Sequence, residues 1–156
     1  MRELNDNVNH YRKTSEDGVL DLIHAIMHQY RSQQYQVLRD GPHDITHMES
    51  KVLGFFERHP AATQSDLARH TGRDKGQLAR LIKGLREREL LSGEADETDR
   101  RNMKLSLTPA GQSIQRTLQQ QAKRLNAKAV QGLDGEEQQQ LLALLLRLRS
   151  NLDSPA

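Results

Sequence analysis

The residues best suited to chemistry in this chain are basic side chains concentrated in residues 69–88. Seven basic side chains fall there against two acidic ones, a local net charge of +5 on a chain whose formal net charge is only +2. The basic residues are Arg69, Arg73, Lys75, Arg80, Lys83, Arg86 and Arg88. A local cationic stripe on a nearly neutral chain is typical of a phosphate-binding surface. A solvated helix face would carry similar charge, so charge alone leaves both interpretations open.

Helical spacing divides residues 74–89 between an apolar and a polar face. The predicted inward positions are Leu78, Leu81, Ile82 and Leu85. The opposite positions are Gly76, Arg80 and Lys83, with Gln77 and Gly84 beside them. In a DNA major groove, Gln77 and Arg80 could bond base edges. Arg73, Lys75 and Lys83 are better placed for phosphates. The two glycines cost about 1 kcal/mol each relative to alanine but would let the backbone approach the bases.

The elements around this basic helix follow the order of a winged helix-turn-helix. Capping boxes at Thr46–Glu49 and Thr63–Asp66 predict two helix starts, the second of a short helix that ends at the Thr71-Gly72 turn. Alternation at Met103, Leu105 and Leu107 predicts a strand, and a partner at 90–94 would close a β-hairpin, the wing. Its tip carries Asp99, Arg100 and Arg101. Arginine on a narrow projection suits a minor groove, where Asp99 could orient a guanidinium. An ordinary exposed turn remains the alternative.

The two ends of the chain predict long helices that need a second surface. The first helix should span roughly 16–39, the fifth should run from Thr108-Pro109 to about Gly132, and the last should begin at Asp134. Leucines of the last helix form one stripe, and Leu142 and Leu146 lie to its side. One stripe can bury against the same chain, whereas the second requires another surface. Apolar residues make up only 35% of the chain, so we expect a homodimer that pairs both ends.

Several classes of protein are excluded or disfavoured by what the sequence lacks. There is no cysteine, which excludes disulfide scaffolds and thiolate metal sites. The apolar runs are shorter than the ~18 residues of a membrane span, and the first residues contain no hydrophobic signal core, so we expect a cytoplasmic protein without a membrane partner. We find no catalytic motif, and we expect neither an enzyme nor a cofactor. His24 and His28 have a spacing that can hold zinc but fall on the polar side of their helix, so we assign no metal ligand.

A series of motifs in the central part of the chain resembles the MarR family of bacterial transcriptional regulators. The motifs are, in chain order, Thr46-x-x-Glu49-x-x-Val52-Leu53, Gln64-Ser-Asp-Leu67-Ala68, Leu81-Ile-Lys-Gly-Leu85, Asp96-x-x-Asp99-Arg100-Arg101 and Leu105-x-Leu107-Thr108-x-x-Gly111. The resemblance implies a dimer of winged helices on a pseudo-palindromic double-stranded operator. It also implies a repressor that a small, often phenolic or aromatic, effector releases from DNA. That effector would bind between the dimerisation helices and the winged domain.

With this resemblance, the sequence predicts a mainly α-helical fold with a small β-hairpin wing. We expect a dimerisation region over 1–45, a winged helix-turn-helix domain over 46–108 and C-terminal dimerisation helices over 109–156. The predicted DNA-contacting residues are Gln64, Ser65, Arg73, Lys75, Gly76, Gln77, Arg80, Lys83, Asp99, Arg100 and Arg101. Two alternatives stay open: a protein-interaction module that has lost DNA affinity, and a metal-responsive regulator.

Two positions depart from the family pattern. The family usually has glycine after the basic helix, where this chain has Glu89, which predicts a less sharp turn into the hairpin. The family often has an arginine at the start of the wing, where Ser92-Gly93-Glu94 stands here. The second departure predicts that a phosphate or wing contact is missing.

Overall fold

The computed structural model describes residues 18–39, 41–99 and 101–155 of the chain. These residues form six helices and one two-stranded antiparallel sheet, which confirms the predicted mainly helical fold with a wing. The elements are α1 Gly18–Gln36, α2 His47–Arg58, α3 Gln64–Thr71, α4 Lys75–Glu87, β1 Leu91–Ala95, β2 Met103–Leu107, α5 Pro109–Ala129 and α6 Gly135–Asp153. Two compact units are distinct, one that reaches Gln121 and one that begins at Ala122.

Most helix boundaries follow the local signals in the sequence. Both predicted capping boxes are present, at Thr46–Glu49 and at Thr63–Asp66, and a further box starts α6 at Asp134. In the second box the Thr63 amide donates to the Asp66 carboxylate at 2.9 Å, and this bond lowers the pKa of Asp66. The first helix ends at Gln36 rather than at 39, because residues 37–39 form a turn; its predicted start at residue 16 lies outside the described residues.

The core of the first unit lies where α2, α3, α4, the hairpin and the first half of α5 meet. Its largest fully buried side chains are Phe56, Leu53, Leu67, Leu78, Leu85, Leu90, Leu105, Leu118 and Val52. Helices α2 and α4 supply five of these nine, although Leu81, which was predicted to face inward, is only half-buried. Burial of this face fixes which side of α4 remains open to solvent.

The hairpin pairs β1 with β2 in the register Leu91↔Leu107 to Ala95↔Met103. A third segment extends it, because Leu105 exchanges backbone hydrogen bonds with Ala61 and Ala62 at 3.0 and 2.8 Å. Met103, Leu105 and Leu107 share one side of β2 as predicted, but they differ in burial. Met103 is 36% exposed, whereas Leu105 is buried, because the sheet projects beyond the core at its tip end.

The turn from α4 into β1 is as tight as a glycine turn, which corrects the expectation drawn from Glu89. Glu89 has φ 59°, in the left-handed region that favours glycine. The amide of Leu90 reaches back to the Leu85 carbonyl at 2.9 Å, the closure expected after a left-handed helix cap. This chain therefore makes the turn with a residue that carries a Cβ atom.

Replacing Glu89 with glycine should raise the free energy of unfolding by about 1 kcal/mol, because a residue with a Cβ atom is strained in the left-handed region. Glu87→Gly, inside α4, is the matched control and should lower that free energy by about 1 kcal/mol through lost helix propensity. Urea unfolding of both variants measures the difference. Equal losses at the two positions would show that Glu89 is not strained.

The start of α5 is joined closely to the end of α4. Thr108 donates from Oγ1 to the Glu89 carbonyl at 2.6 Å and accepts from the Gly111 amide at 3.1 Å. A Cβ atom on Gly111 would lie 2.3 Å from the Leu90 carbonyl oxygen. The Leu-Thr-x-x-Gly motif thus has a physical basis: the threonine ties the two backbones together, and only glycine leaves room for them.

The end of α4 is also tied to the start of α2. Arg88 donates from Nη1 to Glu49 Oε2 at 2.9 Å and from Nη2 to the Asp44 carbonyl at 2.6 Å. The other oxygen of Glu49 accepts from the Thr46 amide in the capping box. Glu49 therefore serves a helix start and an interhelical ion pair at the same time.

Helices α1 and α6 contain no buried residue in the single chain. On α6 the six leucines at 141, 142, 144, 145, 146 and 152 are between 37% and 69% exposed. Both leucine stripes are thus exposed in the single chain, apart from the half-buried Leu148. On α1, Val19, Leu20, Leu22, Ile26 and Met27 are likewise exposed. Within the described ranges, no helix combines the length and apolar content that crossing a membrane needs.

Candidate nucleic-acid interface

The two helices of the helix-turn-helix are held at a short turn. Gly72 ends α3 with φ 65°, a conformation that glycine adopts without strain. The Arg73 amide then donates to Thr71 Oγ1 at 3.3 Å, and Asp74 occupies the N-cap position of α4 without a side-chain capping bond. Gln64 Nε2 donates to the Lys75 carbonyl at 3.4 Å, which links the first turns of α3 and α4.

The outward face of α4 carries the residues predicted for it. Gly76, Gln77, Arg80 and Lys83 are exposed, while Leu78, Ile82 and Leu85 hold the inner face in the core. Gly84 is half-buried beside them. A Cβ atom on Gly84 would meet nothing within 4 Å, and one on Gly76 would lie 3.4 Å from the Asp74 carboxylate. The fold itself requires neither glycine.

A groove of about 320 Å³ runs between α3, α4 and the hairpin. Its lining includes Gln64, Ser65, Lys75 and Arg101 from the predicted set, and it adds Arg86, to which the sequence interpretation gave no separate role. The described lining holds three cationic side chains and no carboxylate. Gln77, Arg80 and Lys83 do not line this groove, and Arg73 lies at a neighbouring depression with Ser65 and Lys75. Helical spacing alone could not single out Arg86 as a groove residue, because other charged side chains of α4 are exposed as well.

The wing tip is a hydrogen-bonded turn. Asp99 Oδ1 accepts from the Arg101 amide at 3.0 Å, and its carbonyl accepts from the Asn102 amide at 3.0 Å. Asp96 accepts from both the amide and hydroxyl of Thr98, which lowers the pKa of its carboxyl group. The expectation that Asp99 orients a guanidinium stays a prediction; in the described residues its Oδ1 accepts from a backbone amide and fixes the turn. Arg100 lies outside the described residues, and Arg101 is exposed.

A second cavity, of about 640 Å³, opens beside α2. Side chains from α1, α3, α4 and α5 also line it, among them Tyr35, Phe55 and Gln115. Tyr35 Oη lies 2.9 Å from His47 Nδ1. Burial raises the pKa of Tyr35 and, together with nearby cations, lowers that of His47. His47 Nε2 is buried without a hydrogen-bond partner in the part of the chain that the structure describes.

The histidines considered as zinc ligands belong to no cluster of potential metal ligands among the described residues. His24 and His28 are both exposed on α1. Across residues 18–39, 41–99 and 101–155, no group of three or more His, Cys, Asp or Glu side chains could hold a metal ion.

Comparison with known proteins agrees with this geometry. The model of the MarR family matches residues 43–102. A transcriptional regulatory protein for the hcr operon of Thauera aromatica is 26% identical, with 94% of this chain and 96% of that protein covered. A mutant of MepR from S. aureus shares 25% identity at a TM-score of 0.73, over 86% of this chain and 98% of that one. A second S. aureus MepR mutant, bound to an oligodeoxyribonucleotide, shares 25% identity at a TM-score of 0.63, over 85% and 96%. A segment at 43–102 that matches the MarR family and a fold shared with MepR along most of the chain together support a transcriptional regulator of the MarR type.

Proposed function

We propose that this chain is a homodimeric, sequence-specific DNA-binding repressor that acts on double-stranded, pseudo-palindromic operators. The observation that carries the proposal is the exposed polar face of α4 beside a groove lined by cations. An exposed helix with small and hydrogen-bonding side chains fits a major groove about 12 Å wide. The oligodeoxyribonucleotide bound to the MepR relative supports the same partner.

Contacts to DNA divide into base readout and backbone binding in this proposal. Gln77 and Arg80 read base edges, with Gly76 allowing close approach of the backbone. The backbone set is Gln64, Ser65, Arg73, Lys75 and Lys83. The wing residues Arg100 and Arg101 reach for the minor groove, and Asp99 shapes the turn that carries them.

The exposed apolar faces of α1 and α6 support the homodimer. Large apolar patches on a folded chain mark surfaces that another surface covers. We therefore propose that the regions 1–45 and 109–156 dimerise around a winged domain at 46–108. Two copies related by a two-fold axis would bind half-sites about 34 Å apart.

The cavity beside α2 supports control by a small effector. Its volume of about 640 Å³ is within the usual range for ligand pockets. Lys51, Arg58 and Arg73 are cationic members of its lining, which contains no carboxylate among the described residues. The free Nε2 of His47 and the aromatic ring of Phe55 suit a phenolic or other aromatic molecule. Arg73 also belongs to the proposed DNA surface, so effector binding and DNA binding share a residue.

Arg80→Ala should remove sequence discrimination of about 1–3 kcal/mol, because a bidentate arginine contact distinguishes guanine from other bases. Operators are first selected from genomic DNA of the source organism. Affinities for a selected duplex and a scrambled duplex of equal length are then compared by fluorescence anisotropy. Arg101→Ala is the contrast variant and should weaken both duplexes.

The outcome of that comparison also tests the competing function. If Arg80→Ala kept the wild-type preference for the selected duplex, Arg80 would not read bases. DNA binding through several phosphates should weaken steeply between about 50 and 200 mM salt. A wild-type chain that binds no duplex, even at low salt, would instead favour a protein-interaction module.

A further inference from the structure

The first strand of the hairpin has a glycine, Gly93, at the point where the end of α4 passes beside it. Gly93, in β1, faces the side chains of Met103 and Arg86. A Cβ atom on Gly93 would meet Met103 closely and would lie 3.4 Å from Arg86 Nε. The guanidinium of Arg86 therefore lies next to the strand position where the first strand of the wing has no side chain of its own.

Arg86 stands in a cationic environment within the groove between α3, α4 and the hairpin. Lys75 and Arg101 line the same groove, and no carboxylate lines it among the described residues. The nearest acidic group on α3, Asp66, already accepts from the Thr63 amide and pairs with Arg69. Of the neighbouring arginines, Arg88 is turned away into its ion pair with Glu49.

The polar groups of this groove are arranged for an anion rather than for a second protein side chain. Gln64 and Ser65 stand at the first turn of α3, where backbone amides and the helix dipole favour negative charge. Gln64 is itself bonded to the Lys75 backbone, which keeps the first turns of α3 and α4 together at the groove. Lys75, Arg86 and Arg101 form no ion pair with a carboxylate of the described residues, so an anion in the groove would meet cations that are not already neutralised.

We propose that Arg86 binds a phosphate of the DNA backbone in this groove, together with Lys75. The guanidinium of Arg86 lies beside the strand in the space that Gly93 leaves open. This inference rests on the proposed DNA-binding function and adds a contact residue to it. Arg86 contacts the backbone only, so its contribution is independent of base sequence.

The test uses random-sequence duplex DNA, because a phosphate contact does not require the operator. Dissociation constants are measured by fluorescence anisotropy over a salt series for the full-length wild type, Arg86→Gln and Arg86→Lys. Losing one phosphate contact should lower the slope of log affinity against log salt by about 0.9. Arg86→Lys keeps a cation and should retain the wild-type slope.

Arg116→Gln is the matched control, since Arg116 is exposed on α5 and does not line the groove. It removes the same charge and should leave the slope unchanged. Thermal unfolding of each variant checks that the fold is kept. Equal slopes for Arg86→Gln and wild type, or equal losses in Arg86→Gln and Arg116→Gln, would overturn the Arg86 contact alone. Absence of salt-dependent binding by the wild type would overturn the DNA-binding function and this contact with it.

Discussion

Gly111→Ala should lower the free energy of unfolding by about 2–3 kcal/mol. The new Cβ atom would lie 2.3 Å from the carbonyl oxygen of Leu90, closer than any real contact. That oxygen belongs to buried backbone and also accepts the Thr108 amide at 3.2 Å, so it cannot rotate aside as a side chain would. The start of α5 must therefore move away from the end of α4, which separates the wing from its support.

Gly84→Ala is the matched control for that substitution. The same methyl group on α4 would enter open space, with no atom within 4 Å. Alanine should there raise the free energy of unfolding by about 1 kcal/mol, through helix propensity alone. Urea unfolding monitored by circular dichroism measures both variants. If Gly111→Ala were as stable as wild type, the backbones at Leu90 and Gly111 could move apart without loss of stability. Their close approach would then not contribute to the free energy of unfolding.

The double substitution Leu142→Glu with Leu146→Glu should dissociate the proposed dimer. Both leucines are more than half exposed in the single chain, so the single chain can solvate the new carboxylates. Two unpaired carboxylates in an apolar interface would be far more costly. A lone chain can hold only one half-site at a time, and affinity for a two-half-site duplex should fall by roughly 10²–10⁴-fold.

Sedimentation of the full chain measures the first effect, with 17.8 kDa expected for the dissociated variant. A matched control places two carboxylates on the side of the same helix away from both leucine stripes, at Gln140→Glu with Ala143→Glu, and should remain dimeric. Circular dichroism confirms that helix content is kept. A wild type that sediments as a single chain, or a leucine variant that stays dimeric, would contradict a dimer built on α6.

Features that depend on residues close together in the sequence could be predicted from it. Features that depend on contacts between residues far apart in the sequence could not. The capping boxes at Thr46 and Thr63 were predicted correctly because donor and acceptor lie three residues apart. The exposed set on α4 follows from the helical repeat alone. The sharp turn at Glu89 was missed because the strain is set by the Thr108 and Leu90 contacts around it.

The candidate site shows the same division. Lys75, Gln64 and Arg101 were identified by charge and motif, and the fold brings them to one groove. The position of Arg86 depends on the absent side chain of Gly93 and on the path of the strand beside it. The helical repeat of α4 contains no information about Gly93 or about the path of β1. The exposure of the α6 leucines could not be predicted from periodicity either, because it depends on which surfaces lie beside the helix.

The Arg88–Glu49 pair has a mechanical consequence for signalling through the protein. One carboxylate bonds both to the start of α2 and to the end of α4, so those two points are held together. The cavity beside α2 is lined by residues of the first turns of that same helix. A displacement of the start of α2 would therefore be passed to the end of α4 through this pair, in addition to any effect at Arg73, which lines the same cavity.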